Sequence, residues 1–350
     1  MGISACILSV SGQYLTQNEQ RFLKDANPWG VILMGRSCGD KPQVKALIDD
    51  IQDATGRRTL IFIDQEGGRV ARLRPPVWSA FPAAGVYGRL YQSDPDRAVK
   101  ACRLGYKLLG AELAEIGIFA NCAPVADLRQ TSTHDSIGDR AFSKKPDEVV
   151  DLARAALNGL KEAGVAGCLK HMPGQGRAEI DSHYDLPRIT ADIQSLEQDF
   201  SIFRAFSDDA LMGMTGHVRY NALDPKNATT VSQKVISETI RGRIGFDGLL
   251  MTDDLGMEAL GGGLAERGKR ALAAGCDVLL HCSGFVKDER DILNEMIEVA
   301  DCAGTLRDDA LRRANAVDAS LSDAQPFDRA EAWDDYQTYL DSVSGARFNA

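Results

Sequence analysis

Eight short apolar runs, separated by stretches of helical pattern between Cys6 and His281, limit what this 350-residue chain can fold into more than any other feature. The runs are Cys6 to Val10, Val31 to Met34, Leu60 to Asp64, Ile118 to Cys122, Gly167 to Lys170, Leu211 to Thr215, Leu249 to Thr252 and Val278 to His281. Helix-like segments include Pro42 to Ala54, Asp96 to Ile116, Pro146 to Ala163, Ile193 to Phe206, Gln233 to Arg243 and Leu264 to Ala274. Strands apolar along their whole length are buried on both faces, and helices between them provide the crossovers that parallel pairing needs. Eight such units predict an α/β fold, a single-domain (β/α)8 TIM barrel, rather than an open sheet. The first unit is short, so an irregular or antiparallel first strand is expected. Near Ser320 the alternation stops, and Pro326 is followed by Asp328, Glu331, Trp333, Asp334, Asp335, Tyr336 and Tyr339. The expected division is a catalytic barrel over 1–320 and a C-terminal helical extension over 321–350, packed on the barrel exterior and frayed at its end.

A formal net charge of −10 without any basic cluster argues against a nucleic-acid partner or an anionic membrane surface. The eight cysteines form no C-x-x-C pair, so neither a zinc site nor a redox motif is signalled. Thiols scattered through apolar runs suit a reducing compartment. The start, M-G-I-S-A-C-I-L-S-V, lacks the basic and long apolar regions of a signal peptide, and Cys6 stands where myristoylation needs Ser or Thr. No apolar stretch is long enough to span a bilayer. A cytoplasmic, monomeric protein without metal or cofactor is expected.

In a parallel barrel the C-terminal strand ends share one rim. The residues ending these runs are Asp64, Lys170 with His171, Thr215 with His217, Asp253 with Asp254, and His281 with Cys282. Unpaired buried charge is costly, so such a gathering predicts a site more readily than packing. The richest stretch is K-H-M-P-G-Q-G-R-A-E-I-D-S-H from Lys170 to His183. Pro173, Gly174 and Gly176 break regular structure there, and the chain returns with Asp181 and His183. In an ordinary loop His183 would be a solvated histidine. The third-run segment I-F-I-D-Q-E-G-G-R-V-A-R-L turns at Gly67 and Gly68 and offers Asp64, Arg69 and Arg72 to a hydroxyl-rich ligand. I-G-D-R-A-F puts Arg140 in a long connection, where a surface arginine is the commoner outcome. In M-T-D-D-L-G-M the adjacent carboxylates repel and point opposite ways. Asp253 is expected to face the cavity and Asp254 to cap a helix N-terminus.

Taken with M-T-G-H-V, these motifs resemble the glycoside hydrolase family 3 β-N-acetylglucosaminidases of single-domain bacterial type, in the family's order from about Gly30 to Ser283. The resemblance implies a retaining exo-glycosidase that removes terminal β-linked N-acetylglucosamine. It further implies N-acetylglucosaminyl-1,6-anhydro-N-acetylmuramic acid, with or without peptide, as substrate in peptidoglycan recycling. By motif, Asp253 matches the nucleophile, His183 the general acid/base and Asp181 the residue orienting it. Asp64, Arg72, Arg140, Lys170 and His171 match the positions that hold the terminal sugar. The family loop usually reads K-H-F-P-G-H-G, whereas Met172 and Gln175 stand here, and a glutamine cannot titrate.

Retention needs a nucleophile on one face of the anomeric carbon and an acid/base on the other. A histidine can serve as that acid/base because it titrates near neutrality unaided. The Gly/Pro loop is expected to let His183 swing in once substrate binds. Phosphorolysis, substrate-assisted hydrolysis by the 2-acetamido group, metal-dependent barrel hydrolysis and a catalytically inactive sugar-binding protein are the competing readings.

Overall fold

In the computed structural model, which describes residues 2–182, 185–284, 286, 288–321, 324, 326–341 and 343, all eight runs become strands of one closed barrel. They are β1 (Ser4–Ser9), β2 (Pro28–Leu33), β3 (Leu60–Ile63), β4 (Ala120–Asn121), β5 (Ala166–Met172), β6 (Met212–Thr215), β7 (Leu249–Asp254) and β8 (Val278–His281). Each pairs in parallel with its sequence neighbours, and β8 closes on β1. The first strand is not antiparallel: β1 runs parallel to both neighbours, with a register shift between Ser4 and Ile7. Apolar residues on both of its faces explain this, since an antiparallel edge would leave one face without a helix to cover it.

Period-2 alternation divides the core in two. Ile7, Phe62 and Met251 belong to the cluster inside the barrel, while their neighbours Leu8, Ile61 and Leu250 pack outward against helices. Those helices are α1 (Gln17–Ala26), α2 (Lys41–Thr55), α3 (Ala84–Tyr91), α4 (Pro95–Glu115), α5 (Pro146–Glu162), α6 (Ile193–Arg204), α7 (Leu264–Ala274) and α8 (Glu289–Ala303), with a π-helical segment at Val235–Ile244. Their limits follow local chemistry. The second helix starts where Asp40 accepts the Gln43 N–H and stops at Gly56, whose φ of 65° is left-handed.

The inner cluster extends to Leu306 and to Ala314 and Val317 on α9 (Asp308–Ser320). Arg313 of that helix reaches Asp247 and Asp277, which precede β7 and β8, so α9 covers the N-terminal end of the barrel. A last helix, α10 (Arg329–Leu340), sets Trp333 5.4 Å from the Phe81 ring and the Tyr336 hydroxyl 2.6 Å from that of Tyr87. No helix among the described residues is long and apolar enough to cross a membrane. The C-terminal strand ends are left to form the site.

Candidate active site

A cleft of about 350 Å³ opens at the C-terminal ends of the strands. It brings together Asp64, Arg72, Arg140, Lys170, His171, Asp181 and Asp253 from four separate stretches of sequence. His183 lies outside the described residues. A second cavity of about 230 Å³, lined by Arg154, Lys161 and Phe206, is at the start of β5 and β6, remote from these groups.

One wall is a continuous ladder of alternating charge. Arg72 meets Asp64 at 2.9 Å, Lys170 bridges Asp64 at 3.2 Å and Glu66 at 2.7 Å, and Arg140 grips Glu66 through two bonds of 2.8 Å. Burial alone would raise the Glu66 carboxyl, but the Arg140 and Lys170 charges outweigh it and hold Glu66 well below the usual range. Burial opposes the Lys170 charge, and Glu66 with Asp64 reverses that, raising Lys170 above its ordinary value. Every group in the ladder is therefore ionised before a ligand arrives. Arg140 is not the surface residue its loop position suggests; it is largely buried because Glu66 fixes it. Arg69 also lines the cleft, but it pairs with Asp139 at 3.1 Å and donates to the Ser136 carbonyl at 2.9 Å, holding the rim loop. Glu66 was not singled out from sequence. Its signal was the spacing, two residues from Asp64 on an extended segment, which places both on one face.

His171 donates from Nδ1 to Asp127 at 2.6 Å, so Nε2 is the nitrogen left for a ligand. Asp127 is fully buried and also accepts the Gln175 N–H at 2.6 Å. It too escaped the sequence reading, although it ends an apolar segment after the fourth run. The Lys170–His171 and Met172–Pro173 peptide bonds are cis.

The segment beyond Pro173 is tied down by hydrogen bonds and an ion pair. Tyr220 donates to the Gly174 carbonyl and Thr133 to that of Gly176, Arg177 pairs with Asp199 at 2.7 Å, and the His134 N–H reaches the Ala178 carbonyl at 2.9 Å. A Cβ on Gly176 would stand 2.0 Å from the Leu128 carbonyl oxygen, so glycine is there for close packing. The stretch up to Ala178 is pinned by these contacts. Gln175 donates to Ser182 Oγ at 3.2 Å, tying the pinned part to the segment that carries Asp181.

Asp253 and Asp254 end β7, and both reach the cleft. Asp254 does not cap a helix: the next helical turn, Glu258–Leu260, is preceded by Met257. Its Oδ1 instead accepts the N–H groups of Gly256 at 2.9 Å and Cys282 at 3.0 Å and the His281 ring at 3.2 Å. Burial would raise the Asp254 carboxyl, yet these donors hold it below its ordinary value. Asp253 accepts the Asp254 N–H at Oδ1. His217 and His281, placed on the rim by their position after apolar runs, do not line the cleft. Both are fully buried behind the aspartates. His217 faces the Asp254 carbonyl at 3.0 Å through Nε2, which must carry the proton, and Nδ1 accepts from Thr230 at 2.7 Å. Burial lowers this histidine, so it is a neutral clamp on the carbonyl of Asp254. Among the described residues, no group of three or more His, Cys, Asp or Glu side chains is placed to hold a metal ion.

The model of the glycosyl hydrolase family 3 N-terminal domain matches residues 7–317. A β-hexosaminidase of Bordetella avium (strain 197N) is 38% identical over 299 residues, 83% of each chain. A β-hexosaminidase of Alkalilimnicola ehrlichii is 39% identical over 287 residues, 81% of this chain and 82% of its own. Among solved structures, NagZ from Neisseria gonorrhoeae in complex with N-trifluoroacetyl-D-glucosamine superposes with a TM-score of 0.82 at 29% identity, covering 99% of this chain and 98% of its own.

Proposed function

The chain belongs to glycosyl hydrolase family 3 and is a β-N-acetylhexosaminidase, and from that premise we propose a retaining exo-enzyme that uses Asp253 as nucleophile to release terminal β-linked N-acetylglucosamine. The observation carrying this reading is the contrast between the two aspartates of β7. Three donors fix Asp254 Oδ1, whereas among the described residues Asp253 has one oxygen steadied by a single neighbouring amide and the other is left to attack.

The charge ladder and His171 hold the sugar. Asp64 accepts from its hydroxyls, and Arg72, Arg140 and Lys170 donate to them. Ion pairs formed in advance need little reorganisation when the sugar binds. Asp253 Oδ2 attacks C1 as the glycosidic C–O bond breaks, and His183 gives its proton to the departing oxygen. Asp181 orients and stabilises that ring. His183 then takes a proton from water, which attacks C1 and frees Asp253, so the configuration is retained after two inversions.

The complex of the gonococcal relative with an N-acylated glucosamine supports a 2-acylamino sugar as the recognised unit. The natural substrate in this reading is N-acetylglucosaminyl-1,6-anhydro-N-acetylmuramic acid, with or without its peptide, in peptidoglycan recycling by a cytoplasmic monomer. Eight free thiols, six of them buried, suit that compartment. The test is hydrolysis of an aryl β-N-acetylglucosaminide, with and without phosphate, read by NMR for the first-formed anomer. A first-formed β-anomer independent of phosphate is expected; α-product, or a sugar phosphate, would overturn the reading.

A further inference from the structure

Behind the two aspartates lies a polar cluster that the reaction above leaves unused. His281, the last residue of β8, has no solvent exposure, and both ring nitrogens face carboxylates: Nδ1 lies 3.2 Å from Asp254 and Nε2 3.1 Å from Glu295 of α8. Ser283 Oγ lies 3.2 Å from the same Nε2 and gives its proton to Glu295, so at that nitrogen it is an acceptor. Arg36 closes the cluster by donating to Ser9 Oγ and to the Val10, Cys282 and Ser283 carbonyls. The charged groups facing it are Asp254 of β7, Glu295 of α8, Arg36 after β2 and, toward Arg36, Glu19 of α1.

A neutral imidazole has one N–H, so it would turn a bare nitrogen toward one of these carboxylates. Only the imidazolium donates to both. Burial by itself would lower His281, and the two carboxylates overturn that effect and raise it to about 9. We propose that His281 is a positioning residue for the nucleophile: charged between Asp254 and Glu295, it keeps Asp254 ionised and turned from the sugar, so that Asp253 stays an ionised, unshared carboxylate. Without that charge the successive aspartates would repel, take up a shared proton and compete for the same space. The Asp254 N–H bond to Asp253 carries the alignment of one residue to the other. This inference rests on the reading of Asp253 as nucleophile.

The test follows kcat/KM against pH for an activated aryl β-N-acetylglucosaminide in the whole enzyme. His281→Asn keeps an N–H near the Nδ1 position and removes the charge. Its acid limb is expected to rise by about one pH unit or more, with KM within about twofold of wild type. Adding Asp254→Asn should bring the limb back, because the charge that needed offsetting is gone. A uniform loss of kcat with an unmoved acid limb, or no restoration in the double variant, overturns the proposal. Where His281→Asn does not fold, the wild-type histidine ring signals decide, assigned by substituting the other four of the chain's five histidines one at a time. His281 is expected to stay protonated above about pH 8, and titration at or below the ordinary value of about 6.5 overturns the proposal. Trapping with a 5-fluoro sugar separates the two claims. A label on another residue sinks the nucleophile reading, whereas a label on Asp253 with an unmoved limb sinks only the role of His281.

Discussion

The Asp254 main-chain N–H donates to Asp253 Oδ1 at 2.9 Å, so the strand end itself orients the neighbouring carboxylate. Asp254 is held in turn by His217, which donates to its carbonyl at 3.0 Å. Asp253→Ala removes the proposed nucleophile without touching the ladder of Asp64, Glu66, Arg72, Arg140 and Lys170. Hydrolysis of an aryl β-N-acetylglucosaminide should fall by roughly a thousandfold or more, while calorimetry finds N-acetylglucosamine affinity within about threefold of wild type. Residual activity within tenfold would remove Asp253 from the mechanism.

Glu66 pairs with both Lys170 and Arg140, and all three are largely buried. Glu66→Ala leaves buried Arg140 without its counter-charge and Lys170 with Asp64 alone, which costs about 3–5 kcal/mol and should lower Tm by roughly 6 °C or more. The folded carboxyl lies below its ordinary value of 4.5, so its contribution is present above that pH and lost as pH falls further. The gap in Tm between wild type and Glu66→Ala should therefore narrow in acid. Lys170→Met should act mainly on binding, raising KM by more than about tenfold with kcat changed severalfold less.

His183 in the acid/base role predicts a dependence on leaving group. His183→Ala should slow release of a sugar alcohol by roughly 10²–10⁴-fold and release of a nitrophenolate far less, since the latter departs without a proton. Equal losses on both substrates, measured as kcat/KM, would dismiss the assignment. Asp181→Asn should follow the same pattern with a smaller amplitude.

Gly176 packs against the backbone after β4, where any Cβ would overlap the Leu128 carbonyl. Gly176→Ala must therefore shift the pinned stretch that positions Gln175 and, through it, Ser182. Activity should drop by about tenfold or more, with a loss of at least about 1–3 kcal/mol in stability. Thermal melts and steady-state kinetics on one preparation check both, and an unaffected variant would mean this stretch is free to move.

The strands were legible because a fully buried strand is apolar throughout: Val278–His281 appears in the barrel residue for residue as the pattern predicts. Helix α9 was not, because Ala314 and Val317 are spaced among Arg312, Arg313 and Asp318, and the apolar stripe is too thin to stand out. Within the cleft, side chains ending apolar runs were readable from position alone. Their partners were not. Glu66 and Asp127 gain meaning only through Lys170, Arg140 and His171, which lie far away in sequence. The capping expectation for Asp254 failed for the same reason, since its strongest partners come from the neighbouring strand at His281 and Cys282.

The burial of a doubly paired His281 has a thermodynamic consequence apart from catalysis. The folded state holds this proton up to about pH 9, whereas an unfolded histidine releases it near its ordinary value of 6.5. A raised histidine stabilises the fold fully below the unfolded value, and that contribution is lost as pH rises from about 6.5 through about 9. The size is on the order of 3 kcal/mol for a group this deeply buried. Wild-type Tm should therefore decline across that window, while His281→Asn should start lower at pH 6 and decline less. Melting both proteins from about pH 6 to about pH 9.5 gives two curves that converge on the alkaline side. A gap that stays constant with pH would mean the folded histidine is neutral, and Asp254 would then owe its ionised state to the Gly256 and Cys282 amides alone.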